Sequence, residues 1–170
     1  GPGPAPAVEE LKAETILARI PASLRDKVDK LLGQLAFVDD PATKKELITL
    51  GADALVYVAA RLPALPPVTV PRANEVLMGT RDKRVASVLR SHLQSDRTSL
   101  VVETLRTLVR IHDAATVAYA KKLTAHREVE IRVAAIAACG ELCSTQDGIA
   151  YLAGFVVGDE EALRAPGGSA

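Results

Sequence analysis

Apolar and polar positions along the chain follow the period of a helix, and the pattern itself returns about every 31 residues. Ala54, Val58 and Leu62 stand at i, i+4 and i+8, which places them in one stripe on a helix. Leu24, Val28 and Leu32 repeat that stripe 30 residues earlier, and Val85, Leu89 and Leu93 repeat it 31 residues later. Thr116, Ala120 and Leu123 give a weaker copy, and Gly148, Leu152 and Val156 another. Each stripe is preceded by a second helical segment, the clearest being Ile131 to Leu142. A helix pair cannot cover its own apolar stripe and is stable only when a neighbour stacks on it. The pattern therefore predicts an all-α fold, an α-solenoid of about five stacked antiparallel helix pairs. The first pair is expected at about Val8–Ile20 and Leu24–Phe37.

The punctuation between stripes agrees with that division. Pro21 ends the first helix, and Ser23 is placed to cap the next through its hydroxyl. Asp40-Pro41 puts a capping oxygen before a proline at the first helical position, where the missing N–H costs nothing. Gly51 closes that helix, with Asp53 as the expected cap of its partner; Asp96 is expected to start the helix containing Leu105. Pro63, Pro66, Pro67 and Pro71 predict a stiff, extended connection, the one place where the stack could bend.

Composition narrows the function classes. Apolar residues make up 48% of 170, but aromatics only 3%, with no Trp. An interior of Ala, Val and Leu suits close helix packing better than an aromatic-lined ligand pocket. Apolar runs are broken by Arg or Glu well before the length of a membrane span, so no contact with a membrane is expected. Residues 1–7 read as a tag scar or Pro-rich linker, 8–163 as the helical domain and 164–170 as a disordered tail. No basic start and apolar run mark a signal peptide, and a cytoplasmic location is expected. The Ala/Val/Arg-rich usage is compatible with a high-GC bacterium.

Net charge is zero, from 21 basic and 21 acidic side chains, but the charge is unevenly placed. Residues 1–71 carry 8 basic and 9 acidic groups, residues 72–127 carry 11 and 5, and residues 128–170 carry 2 and 7. The middle is thus basic and the C-terminal part acidic. Such polarity steers partners and favours head-to-tail contact between copies.

The segment Ile131 to Leu142 resembles the first helix of HEAT repeats, in particular the short HEAT-like repeats of phycobilisome lyases. Ile131-Arg132 match the opening Val-Arg of that pattern, Ala135 and Ala138 its alanines, Gly140 its glycine and Leu142 its final leucine. Ile136 replaces an alanine and Cys139 a leucine. Lys44 to Gly51, ending Leu50-Gly51, is a shorter match, whereas residues 97–111 keep the period and lose the signature. The resemblance implies a HEAT-like or armadillo-type superhelix whose second helices line the concave side. It says little about function, because such arrays serve assembly, trafficking, DNA repair and lyase chemistry.

No catalytic constellation and no cofactor are expected: Gly-rich phosphate loops, Gly-x-Ser-x-Gly and His-Glu-x-x-His do not occur. No His is followed by Glu, which removes the paired His-Glu iron motifs of the HEAT-like lysine hydroxylase. Cys139 and Cys143 lie one turn apart, and Cys139 takes a position that the family fills with leucine; a buried apolar role is favoured over a metal site. His92, His112 and His126 sit near helix ends, where a cation is favoured.

Two surfaces remain as candidates for a partner. Tyr57, Tyr119 and Tyr151 directly precede stripe residues at corresponding places in the repeat. Each either packs between repeats or belongs to a ladder along the second-helix surface, with its hydroxyl reaching solvent. The second candidate is the basic set Arg81, Lys83, Arg84, Arg90, Arg106, Arg110, Lys121, Lys122 and Arg127. Solvated helix faces, an acidic protein partner and nucleic acid are its three readings, in that order, because the chain as a whole is neutral. The favoured function is a non-enzymatic HEAT-like protein–protein interaction module, a scaffold or adaptor part of a larger protein. It would bind a partner or another copy through Tyr57, Arg84, Arg90, Tyr119, Lys121, Lys122 and Tyr151. DNA binding through the basic middle is the alternative.

Overall fold

The computed structural model describes residues 13–143. Among these are nine α-helices, two short 3-10 turns and no strand, so the fold is all-helical. The helices are α1 Ala13–Ala18, α2 Ala22–Phe37, α3 Pro41–Thr49, α4 Ala52–Arg61, α5 Thr69–Leu77, α6 Lys83–Ser91, α7 Thr98–Arg110, α8 Thr116–Leu123 and α9 Val129–Leu142. The expected helix around Gly148, Leu152 and Val156 lies outside the described residues, as do Tyr151 and the two terminal segments.

Local chemistry accounts for most of the boundaries. Asp40 caps α3: its carboxylate accepts from the Ala42 amide at 3.1 Å and the Thr43 hydroxyl at 2.8 Å, with Pro41 in the first turn. Those bonds hold the Asp40 carboxyl below its ordinary pKa. Gly51 turns the chain from α3 into α4 with φ of 102°, a conformation that a side chain would oppose. Asp82 caps α6 by accepting from the Arg84 amide at 2.9 Å.

Four expected boundaries differ, one being that Asp96 does not start α7, which begins at Thr98 behind Arg97 with no side-chain cap. Ser23 does not cap α2, which begins at Ala22 behind Pro21, two residues before the expected Leu24. Asp53 lies inside the first turn of α4, where it favours the helix N-terminus and reaches a neighbouring helix instead. The proline-rich connection is shorter than expected: after a 3-10 turn at Leu62–Ala64 the helix resumes at Thr69. Pro71 falls in the first turn of α5, where no intrahelical donor is lost.

From α2 onwards the helices alternate between two rows. α3, α5, α7 and α9 each pack on the next of their row, and α2, α4 and α6 do the same; α8 packs on α7 and α9. The core lies between the rows and includes Leu32, Leu47, Leu62, Leu77, Leu89 and Leu105, all buried. Burying each such side chain contributes roughly 1.5–3 kcal/mol relative to exposure.

The first and last described helices depart from this order. α1 was expected to stand beside α2 as the first pair. Its main contacts are instead with α4 and α6, one and two pairs further along. At the other end, Ile131, Ala135, Ala138 and Leu142 of α9 are buried, while Val129, Val133 and Ile136 are exposed at 56–60%. At about 100° per residue these two sets lie on opposite sides of one helix.

Candidate interaction surface

The row of α4, α6 and α8 carries the residues that the sequence singles out, and it is held together by bonds between successive helices. Asp29 of α2 accepts from the Tyr57 hydroxyl at 2.8 Å and from Arg61 Nε at 3.1 Å, both on α4. Asp53 of α4 accepts from Arg84 Nη1 on α6 at 2.8 Å. The other row has its counterpart: Lys44 of α3 sits between Asp39 and Glu75, the latter on α5. His92 Nε2 meets the Ala59 carbonyl at 2.7 Å, and Arg97 donates to the Pro63 carbonyl at 2.5 Å. The partners stand 28 to 34 residues apart, close to the interval of the hydrophobic pattern.

These bonds set the electrostatics. Burial, and then the Asp29 carboxylate, push the Tyr57 hydroxyl above the ordinary tyrosine pKa. The Asp82 and Asp53 carboxylates hold the Arg84 guanidinium more firmly protonated. Asp82 is lowered in return, first by the Arg84 side chain. Burial works against the charge of Lys44, yet Asp39 and Glu75 leave its pKa above the lysine norm. Burial of the His92 ring lowers its pKa, against the bond to Ala59.

The predicted residues therefore occupy different environments. Tyr57 is only 9% exposed and its hydroxyl is spent on Asp29, so it is an internal link and offers solvent little. Arg84 is divided between Asp82 and Asp53. Arg90 pairs with Asp113 at 2.6 Å, both side chains being largely buried, and its guanidinium lies 6.0 Å from the centre of the Tyr119 ring. Asp113 also accepts from Thr116, which fixes the start of α8. Tyr119 is half-buried; Lys121 and Lys122 are exposed on the last turn of α8. Arg90 and Tyr119 thus come together between α6 and α8, Lys122 follows Tyr119 one turn on and Lys121 lies towards Cys139 of α9, while Tyr57 and Arg84 belong to the joint between α4 and its neighbours.

Both cysteines are free, and burial pushes each thiol up, so neither is a ready thiolate at neutral pH. Among the described residues no group of three metal-ligating side chains converges. No helix among them is long and apolar enough to cross a membrane.

Sequence reasoning missed one feature, a groove of about 730 Å³ between α7 and α9. Its apolar lining includes Val102, Val109, Val133, Ala134 and Ala137, with Arg106, Arg110, Glu130 and Glu141 also bordering it. The run of small residues Ala134, Ala135, Ala137 and Ala138 was the available signal, since small side chains leave space beside a helix. Comparison of the chain with protein-family models, curated proteins and solved structures returned no match.

Proposed function

We propose that this chain is a HEAT-like α-solenoid of stacked antiparallel helix pairs that works as a non-enzymatic protein–protein interaction module. The observation that carries the reading is the set of cross-helix bonds spaced near one repeat interval: Asp29 to Arg61, Asp53 to Arg84 and Lys44 to Glu75. Each of these bonds spans about one interval of the apolar stripe, which is what one unit stacked on the next produces. They also spend side chains on rigidity, which suits a surface that must keep its shape for a partner.

The binding surface in this reading is the α4–α6–α8 row, with Tyr119 and Lys122, one turn apart on α8, as its accessible part and Lys121 at its edge towards α9. Half-buried Tyr offers area at low entropic cost, and the adjoining lysines select an acidic protein partner. The module acts in the cytoplasm as part of a larger bacterial scaffold. Of the nine basic residues behind the nucleic-acid alternative, three, Arg84, Arg90 and Arg106, are engaged with Asp53, Asp113 and Glu103.

The test is partner recovery by the full chain carrying Tyr119→Ala and Lys121→Glu. Loss of recovery with an unchanged melting curve supports this surface, and unchanged recovery overturns it.

A further inference from the structure

α4 is buried more completely than a helix in a two-row stack requires. Its residues Ala54, Leu55, Val56, Tyr57, Val58 and Ala59 are all buried, an unbroken run longer than one turn and a half. In α6 and α7 buried residues come in pairs separated by more accessible ones. A helix buried all round has neighbours on every side. The additional neighbour of α4 is α1, which packs on α4 and α6.

α1 has the form of a docked ligand. Ile16 and Ile20 are 4% and 3% exposed, Ala13 and Leu17 are half-buried, and Glu14, Thr15, Ala18 and Arg19 face outwards. Ala13, Ile16 and Leu17 stand at i, i+3 and i+4 on the helix, the spacing with which a short amphipathic helix anchors in a groove, and Ile20 adds a second buried isoleucine from the turn that follows. Among the described residues no side-chain hydrogen bond or ion pair ties α1 to α4 or α6; the contact is apolar side chains alone. Among the described residues α1 meets the groove through one apolar face, so its seating rests on that face. Elements held by few buried contacts open locally at lower cost than the core.

We infer that the surface over α4 and α6 is a receptor groove for a short amphipathic helix of a partner protein, bearing apolar residues at the Ala13, Ile16, Leu17 and Ile20 spacing, and that α1 fills it in cis until displaced. This rests on the interaction-module reading and gives it a partner chemistry: a helix with two β-branched anchors four residues apart. The groove accepts the partner by exchange, so affinity in trans is reduced by the fraction of time α1 is seated.

The probe is a labelled synthetic peptide of residues 8–21, titrated by fluorescence anisotropy into the full chain. With Ile16→Ser and Ile20→Ser in the chain, the peptide binds saturably and about tenfold or more tightly than to the unaltered chain. A peptide with the same two serines does not bind. Absence of binding to a variant that still melts cooperatively overturns the inference. So does loss of cooperative melting in that variant, because α1 is then an integral part of the core. Amide exchange on the unaltered chain gives a second measurement: Ala18–Ile20 should exchange about tenfold or more faster than Val56–Ala59. Equal protection overturns the inference as well. If the peptide fails while Tyr119→Ala with Lys121→Glu still abolishes partner recovery, the groove falls and the module reading stands.

Discussion

Leu105 and Ile136 hold the same place in the pattern, 31 residues apart, yet Leu105 is 1% exposed and Ile136 is 59% exposed. On α7 that position belongs to the main core, between the helices that pack on α7 from both sides along the chain. On α9 it faces outwards beside Val133, so one interval of sequence separates a core residue from a surface one.

That difference predicts unequal costs for the same truncation. Leu105→Ala should destabilise by about 2–5 kcal/mol, the range for deleting a buried leucine. Ile136→Ala should change stability by about 0.5 kcal/mol or less, as at exposed sites. Urea denaturation of both variants checks this; a comparable loss at Ile136 would mean that its face is covered in solution.

One interval before Leu105, the corresponding position is Asn74 of α5, fully buried, with neither side-chain oxygen nor nitrogen bonded to a protein partner. A buried amide without a partner costs about 1–3 kcal/mol. Asn74→Leu supplies an aliphatic side chain, as at the next two equivalent positions Leu105 and Ile136, with the same branching and bulkier methyl groups. It should raise stability by about 1–3 kcal/mol, seen as a higher midpoint at unchanged denaturant slope.

The Asp29 link between α2 and α4 can be divided by a double-mutant cycle. Tyr57→Phe removes the hydroxyl that donates to Asp29 and should cost about 1–2 kcal/mol. Arg61→Ala should cost less, about 1 kcal/mol at most, because that ion pair is about 40% exposed on both sides. In an Asp29→Ala background both effects should largely vanish, which chemical denaturation of the single and double variants measures directly.

His92 gives the fold a specific acid response. Burial lowers its folded pKa below the ordinary value of about 6.5. Its stabilising contribution is therefore complete above about pH 6.5 and is lost as pH falls through the folded pKa. Melting temperature should decline on acidification over that window, and His92→Gln should flatten the decline. An identical pH profile in the variant would remove His92 from the explanation.

The chain's apolar stripes made the helices legible because Val28, Leu32, Val58, Leu62, Val85 and Leu89 report burial directly through their spacing. Asp40-Pro41 and Gly51 were legible because each performs one local task. The course of α1 was not: Ile16 and Ile20 state that a helix has one apolar face, and spacing alone cannot say which neighbour receives it. Arg84 and Arg90 were read as surface because arginine is usually solvated. An acid and a base near one interval apart, as in Asp29 and Arg61 or Asp53 and Arg84, was the signal available for their pairing. Tyr57 escaped for a related reason, since a hydroxyl at a stripe's edge can meet solvent or a carboxylate.

Because α1 touches helices on both sides of the connection that runs from Leu62 to Val68, it bridges the least regular joint of the described residues like a splint. Undocking it would leave that joint sprung only by the neighbouring helices. Flexural compliance would then depend on whether this one short helix is seated, so that occupancy at the N-terminus and the mechanics of the middle are a single variable.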